Sequence, residues 1–258
     1  MNNTDNLFCV ILAGGKGKRL WPSSRTSFPK QFIDFFGTGR TQLQQTYERL
    51  SKLVPNSHIF ISTHKDYIDL VKEQLPDVSY EQILDEPIRR NTAPAVLWAV
   101  HHIQKNNPNA VVIVSPSDQD VHNEDAFAKN INEALAFMEN NSCIITMGVP
   151  PSRPEPGYGY IQTGDYVGHD VYRVKSFTEK PNREFAQLFV NSGEFYWNTG
   201  MFFARAKQLL ENTYQLLPMV LKTLDDENSN ATLEEERAFL ETNYYEYPNI
   251  PIDRTMLE

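Results

Sequence analysis

Three glycines and three cations crowd one short stretch, LAGGKGKRLWP, where Gly14, Gly15 and Gly17 flank Lys16 and precede Lys18 and Arg19. Glycines let backbone amides approach a ligand closely, and a run of inward-turned amides makes an anion-binding concavity. Cations beside such a loop meet the phosphates it cradles. The loop is not the GxxxxGK[ST] phosphate loop. It is not the dinucleotide fingerprint either, because Leu20 stands where the third glycine of GxGxxG belongs. A second cation follows in FPKQF, where Pro29 fixes the backbone beside Lys30. Two cations flanking a polyphosphate suit phosphoryl or nucleotidyl transfer, which depends on positioning and charge neutralisation. Each close charge contact, at ~4 Å and an effective dielectric of ~20, is worth on the order of 4 kcal/mol before desolvation. A tight turn with solvated basic residues would show the same local pattern, so the rest of the chain has to decide.

A carboxylate stands in the right kind of place. SPSDQDV closes an apolar run, which puts Asp118 at a strand end where oxygen ligands and substrate phosphates can share Mg²⁺. Asp120 reads as a loop aspartate. EPIRRNTAPA carries Asn91 and Thr92 ahead of an apolar stretch and reads as a helix start, with Arg89 and Arg90 as surface charges. Six histidines show no metal-ligand or catalytic-base spacing, and no Ser-His-Asp group is evident.

These residues need a frame. LFCVILA (7–13), HIFIST (58–63), VVIVSP (111–116) and CIITMGV (143–149) read as buried strands, alternating with helical patterns near 42–52, 66–75, 92–105 and 124–139. Strand–helix alternation with continuous apolar strands implies right-handed βαβ units and a mainly parallel, Rossmann-like sheet flanked by helices. Ligands then lie at the carboxyl ends of the strands. Residues 150–180, rich in Pro, Gly and Tyr, read as inserted antiparallel strands over the mouth of the sheet. Helices follow near 183–191, 206–217 and from Thr232, where Thr232 and Glu235 fit a capping box. The organisation is one domain, 1–258, with an inserted subregion over 150–205.

Composition agrees with a globular chain. Its 258 residues are 40% hydrophobic and 22% charged, and the apolar runs are too short to cross a membrane. The polar start is no secretory signal, and Cys9 and Cys143 read as buried reduced thiols, so a cytoplasmic location is expected. The net charge of −9 is uneven. From Asp225 onward ten acids face two arginines, while in the first thirty residues five cations face Asp5 alone. A local basic cluster in an acidic chain marks an anion site and excludes nucleic acid as a general partner.

LAGGKGKRLWPSSR followed by FPKQF resembles the opening of the mannose-1-phosphate guanylyltransferases, LAGGxGxRLWPxSR and then PKQF. EPIRRNTAPA, SPSDQ, GYGYI, FTEKP and WNTGMF follow in that family's order. The resemblance implies a nucleotide-diphospho-sugar transferase fold, GTP and mannose 1-phosphate as substrates, GDP-mannose and pyrophosphate as products, and Mg²⁺ as cofactor. It implies that Arg19 grips the leaving pyrophosphate and Lys30 the reacting phosphates, over Ala13, Gly14, Gly15 and Gly17. It further implies nucleotide contacts at Asn91 and Thr92, a metal ligand at Asp118, and sugar or sugar-phosphate contacts at Tyr158, Gly159, Glu179, Lys180 and Asn198. Gln119 departs from the family, which has histidine there. A sugar phosphate with a second pKa near ~6 is already dianionic at neutral pH and needs no general base.

The resemblance ends at PNIPIDRTMLE, similar to SxDYAVMEK, before the family's W-x-D-x-G segment with its second metal-binding aspartate. A truncated chain with weak nucleotide binding and little turnover is therefore expected. Other readings are a different hexose phosphate or base, a nucleotide-sugar-dependent glycosyltransferase using Asp118-Gln119-Asp120, and a non-catalytic nucleotide-sugar sensor. A homodimer is one assembly the resemblance leaves open.

Overall fold

The structure is a computed structural model that describes residues 4–214 and 231–257. The four apolar runs become β1 (Leu7–Leu12), β2 (Ile59–His64), β4 (Val111–Pro116) and β5 (Ile145–Val149). Two further strands complete the frame: β3 (Ile83–Glu86) and β8 (Phe195–Arg205), with β6 (Tyr160–Gly168) and β7 (Val171–Thr178) between β5 and β8. The strand order is β3-β2-β1-β4-β8-β6-β7, with β5 also paired to β8. Pairing is parallel among β3, β2, β1 and β4, and antiparallel where β8 meets β4, β5 and β6 and where β6 meets β7.

The antiparallel strands expected over the mouth of the sheet are β6 and β7. They pair with each other and, through β8, with β4, so they widen the same sheet instead of covering it. Sequence patterning missed β3 because four residues carry too little periodicity. It missed β8 because Asn198, Thr199 and Gly200 interrupt the apolar pattern; burial along that strand rises from half-buried at Phe195 to full at Met201–Ala204.

The helices are α1 (Gln42–Ser51), α2 (Ile68–Gln74), α3 (Thr92–Asn106), α4 (Glu124–Asn140), α5 (Arg183–Ser192), α6 (Ala206–Tyr214), α7 (Leu233–Asn243) and α8 (Ile252–Leu257). The expected helix over 206–217 is described as far as Tyr214, and 215–217 lie outside the described residues. The capping box read from the sequence, Thr232 with Glu235, forms, and Thr41 with Gln44 forms another at the start of α1. Alternation in β1 divides the core. Val10 joins α3, α6 and α7 on one face; Cys9 and Ile11 join α1, α2 and α4 on the other. Cys9 is buried as expected, whereas Cys143, before β5, is half-buried. No described helix is long and apolar enough to cross a membrane.

One feature of this topology positions the site. The chain leaves β1 toward β2 and β3, then returns to place β4 on the other side of β1. Leu12 at the end of β1 lies in register with Pro116 at the end of β4. This is the switch point of a doubly wound sheet, where two loops diverge and open a crevice. The loops that diverge are 13–20 and 117–123.

Candidate active site

The glycine loop is shaped by its carbonyls. Ala13 O accepts from Gln31 Nε2 at 2.6 Å and from Thr63 Oγ1 at 3.1 Å, and Gly14 O accepts from Arg89 Nε at 3.1 Å. Gly15 O accepts from Gln31 Nε2 at 3.0 Å, and Lys16 O from Ser24 Oγ at 3.3 Å. In a trans peptide the following N–H points opposite to the carbonyl. Four successive carbonyls tied to side chains therefore turn the amides of Gly14, Gly15, Lys16 and Gly17 away from those side chains. Amides turned away from such partners are what an anion-binding loop needs.

Gly17 is required on two counts. Its φ of 60° is left-handed, and a Cβ would lie 2.3 Å from Ser24 Oγ and 3.0 Å from Lys30 Cγ. This close approach draws Lys30 beneath the loop. The Lys30 ammonium then pairs with the Asp118 carboxylate across the switch point, with the two side chains 28% and 29% exposed. A cation and an acid that stay partly open to solvent can exchange each other for substrate groups. Arg19 is exposed, and its guanidinium reaches toward Gly157, where a Cβ would lie 3.3 Å from Nη1.

The second half of the site lies along β8. Asn198 N donates to Gly159 O at 2.8 Å, and a Cβ on Gly159 would lie 2.9 Å from Glu179 Oε2. Glu179 pairs with Lys180. Tyr158 meets the edge of the Trp197 ring at a centroid distance of 5.2 Å. Gln119 binds the two halves together. Its side chain donates to Thr199 O, and its carbonyl accepts from Arg49 at 3.1 Å. The glutamine that departs from the family pattern thus has a bracing role between β4 and β8.

Asn91 and Thr92 sit at the start of α3. Asn91 accepts from Thr92 N at 3.0 Å, as a helix cap does, and Arg89 carries this segment to the glycine loop. Of the four non-glycine residues described with positive φ, Asn91 (65°) and Lys180 (48°) are both candidate site residues. Such conformations cost about 1–3 kcal/mol and gather where geometry is functionally constrained.

Contacts join Gly17, Lys30 and Asp118 at the switch point, and Gly159, Glu179 and Asn198 along β8. Several that belong with them were not singled out. Arg89 and Arg90, read as surface charges, are half-buried: Arg89 holds Gly14 and stacks 4.9 Å over Tyr67, and Arg90 donates to Tyr245 O. Gln31 is buried and braces two loop carbonyls. Burial pushes the Glu86 carboxyl, at the end of β3, up to about 8 against the opposing pull of Arg89. Burial likewise raises Asp253, which accepts from Asn198 Nδ2 at 2.7 Å. Asp118 and Asp120 take different partners: Asp120 pairs with His122 at 2.9 Å while Asp118 faces Lys30.

A glycine-rich loop and the Lys30–Asp118 pair stand at the switch point of a doubly wound sheet, beside the strand that carries Asn198. The chain belongs to the nucleotidyl transferase family, which matches residues 8–239. Mannose-1-phosphate guanylyltransferase of Escherichia coli is 39% identical over 221 residues, covering 84% of this chain and 46% of that protein. Mannose-1-phosphate guanylyltransferase RfbM of Salmonella typhimurium is 36% identical over 248 residues, covering 95% and 51%. The chain thus spans about half the length of these relatives. A crystal structure from Thermus thermophilus, described as mannose-1-phosphate geranyltransferase, superposes with a TM-score of 0.83 at 31% identity, covering 97% of this chain and 70% of that one.

Proposed function

We propose that this chain carries the catalytic region of an enzyme that transfers GMP from GTP to α-D-mannose 1-phosphate, releasing pyrophosphate and forming GDP-mannose. The observation that carries the proposal is the Lys30–Asp118 pair across the switch point, with the outward-turned amides of 14–17 on one side and the Gly159–Asn198 pocket on the other. Family membership and the named relatives support the same reaction class.

In this reading the amides of Gly14 to Gly17 and the Arg19 guanidinium hold the β- and γ-phosphates. Lys30 leaves Asp118 and meets the α-phosphate oxygens. Lys180 binds the mannose 1-phosphate dianion, and Glu179 and Asn198 hold the hexose hydroxyls beside Tyr158 and Gly159. A phosphate oxygen of the sugar phosphate attacks the α-phosphorus in line. The bond from that phosphorus to the bridging oxygen breaks, and its electron pair leaves with pyrophosphate. The attacking group is already anionic, so no proton has to be removed. Asn91 and Thr92, at the start of α3, belong to the nucleotide side.

Asp118 fits Mg²⁺, which is commonly held by one or two carboxylates plus substrate phosphates and water. Among the described residues no group of three or more His, Cys, Asp or Glu forms a cage for a metal. The ion would neutralise phosphate charge as it develops. A cytoplasmic location, and a homodimer as one assembly state, belong to the same reading; nucleic acid and membrane do not.

The test is pyrophosphate release with a panel of nucleoside triphosphates and sugar 1-phosphates. GTP with mannose 1-phosphate should be preferred and should yield equal amounts of pyrophosphate and GDP-mannose. Preference for another base or hexose would reassign the substrates. Sugar transfer from GDP-mannose to an acceptor, without pyrophosphate, would point to a glycosyltransferase instead.

A further inference from the structure

The sequence assigns Asp253 no role, yet its side chain reaches β8 and its helix reaches the start of α3. Its Oδ1 accepts from Asn198 Nδ2 at 2.7 Å. The same amide is held from its other end, because Asn198 Oδ1 accepts from Thr146 Oγ1 at 3.2 Å and from Gly200 N at 3.0 Å. Asparagine has two donors on Nδ2 and an acceptor on Oδ1. With Oδ1 engaged twice and one N–H given to Asp253, the amide has a single satisfied orientation, and one N–H is left for a ligand. A flipped amide would face the Asp253 carboxylate with its oxygen and the Gly200 N–H with its nitrogen.

The helix that bears Asp253 is itself fixed to the nucleotide side. Ile252 N donates to Thr92 Oγ1 at 2.9 Å, and Ala93 N donates to Ile250 O at 3.1 Å. The start of α8 thus ties the start of α3 to β8. The negative charge of Glu179 also bears on the Asp253 carboxyl, and the positive charge of Lys180 opposes it. Placing an acid here is costly, and packing alone would not call for one.

We propose that Asp253 is a positioning residue of the hexose subsite, holding the Asn198 amide so that its free N–H meets a sugar hydroxyl. This deepens the reading of that pocket as the sugar site and rests on it. The structural consequence is specific. Loss of Asp253 leaves the amide held through Oδ1 alone and its N–H groups without their anchor, so sugar binding weakens while nucleotide binding does not.

The experiment compares the full chain with Asp253→Ala, Asp253→Asn, Asn198→Ala and the Asn198→Ala/Asp253→Ala double variant. Asp253→Ala should raise KM for mannose 1-phosphate by about 10-fold, the scale of a lost hydrogen bond to a charged group, and leave KM for GTP within about twofold. Asp253→Asn can still offer an oxygen to Asn198 and should stay within about threefold of the parent. The double variant should be no worse than Asn198→Ala, because the two residues act through one contact. If Asp253→Ala does not fold, Asp253→Ser, polar and suited to a helix start, gives the same reading. Equal effects on both KM values, or additive effects in the double variant, would overturn the inference. Calorimetric titration with mannose 1-phosphate separates it from turnover. A parent chain that binds the sugar phosphate about 10-fold tighter than Asp253→Ala, yet makes no product, keeps the inference and removes the reaction. Equal affinities, or no binding by the parent chain, would refute the inference.

Discussion

Lys30→Ala should lower the rate of nucleotidyl transfer by about 10²- to 10³-fold, the usual cost of removing one preorganised donor from a developing negative charge. Lys30 is the cation that the fold places most deliberately. Gly17 packs against its stem, Pro29 fixes its backbone, and Asp118 holds its ammonium at the switch point. The change also leaves Asp118 without its partner, which turns an ion pair into an isolated acid facing the incoming phosphates. A fall in kcat larger than the rise in KM for GTP is therefore expected, because the charge matters most as the α-phosphate reacts. Arg19 is exposed and reaches toward Gly157. Arg19→Ala should act more on GTP affinity. Steady-state kinetics of both variants check this, and a loss below about fivefold for Lys30→Ala would remove Lys30 from the reacting centre.

The second large effect is on stability. Glu236 on α7 is fully buried and accepts from three side chains of α3: Trp98 Nε1 at 2.9 Å, His102 Nδ1 at 3.0 Å, and the Lys105 ammonium. Burial alone would raise its pKa. The hydrogen bond and charge of His102, with the hydrogen bonds from Lys105 and Trp98, outweigh burial and bring it down to about 2 from an ordinary 4.5. Glu236→Ala strands the Lys105 charge and two other donors, and breaking a buried pair in this way costs about 3–5 kcal/mol. The pH sign follows from the lowered pKa. The stabilisation is present above about pH 4.5 and is lost as pH falls toward about 2. A shift of that size corresponds to about 3 kcal/mol. Urea unfolding of the parent at pH 7 and pH 3, beside the variant, measures both. The parent should lose stability between the two pH values by more than the variant does. A destabilisation under about 1 kcal/mol, with parallel acid limbs, would contradict this account of how α7 is held to α3.

The same distinction, between local pattern and distant contact, separates what the sequence revealed from what it concealed. Strands β1, β2, β4 and β5 were legible because they are continuous apolar runs, and the glycine loop because three glycines cluster there, one of which, Gly17, takes a left-handed φ. Lys30 and Asp118 stood out from their places after a proline and after a strand, and the fold brings them into one ion pair. β8 was not, since its motif residues break the apolar pattern, and that strand turns the outer half of the sheet antiparallel. Gln31, Arg89 and Asp253 are ordinary residues in sequence. They matter through contacts with partners 16, 75 and 55 positions away. No local spacing encodes such contacts. Gln119 reads as a departure from the family pattern, and its value shows only in the contact with Thr199 O across β4 and β8.

The most direct measurement is a crystal structure of the chain with GTP and Mg²⁺, followed by a soak with mannose 1-phosphate. The triphosphate should lie along the amides of Gly14 to Gly17 with Lys30 swung from Asp118 to the α-phosphate, and the hexose should sit among Gly159, Glu179 and Asn198. Triphosphate density away from residues 13–19, or Lys30 still paired with Asp118 while the sugar binds elsewhere, would show that the crevice at the switch point is not where the reaction takes place.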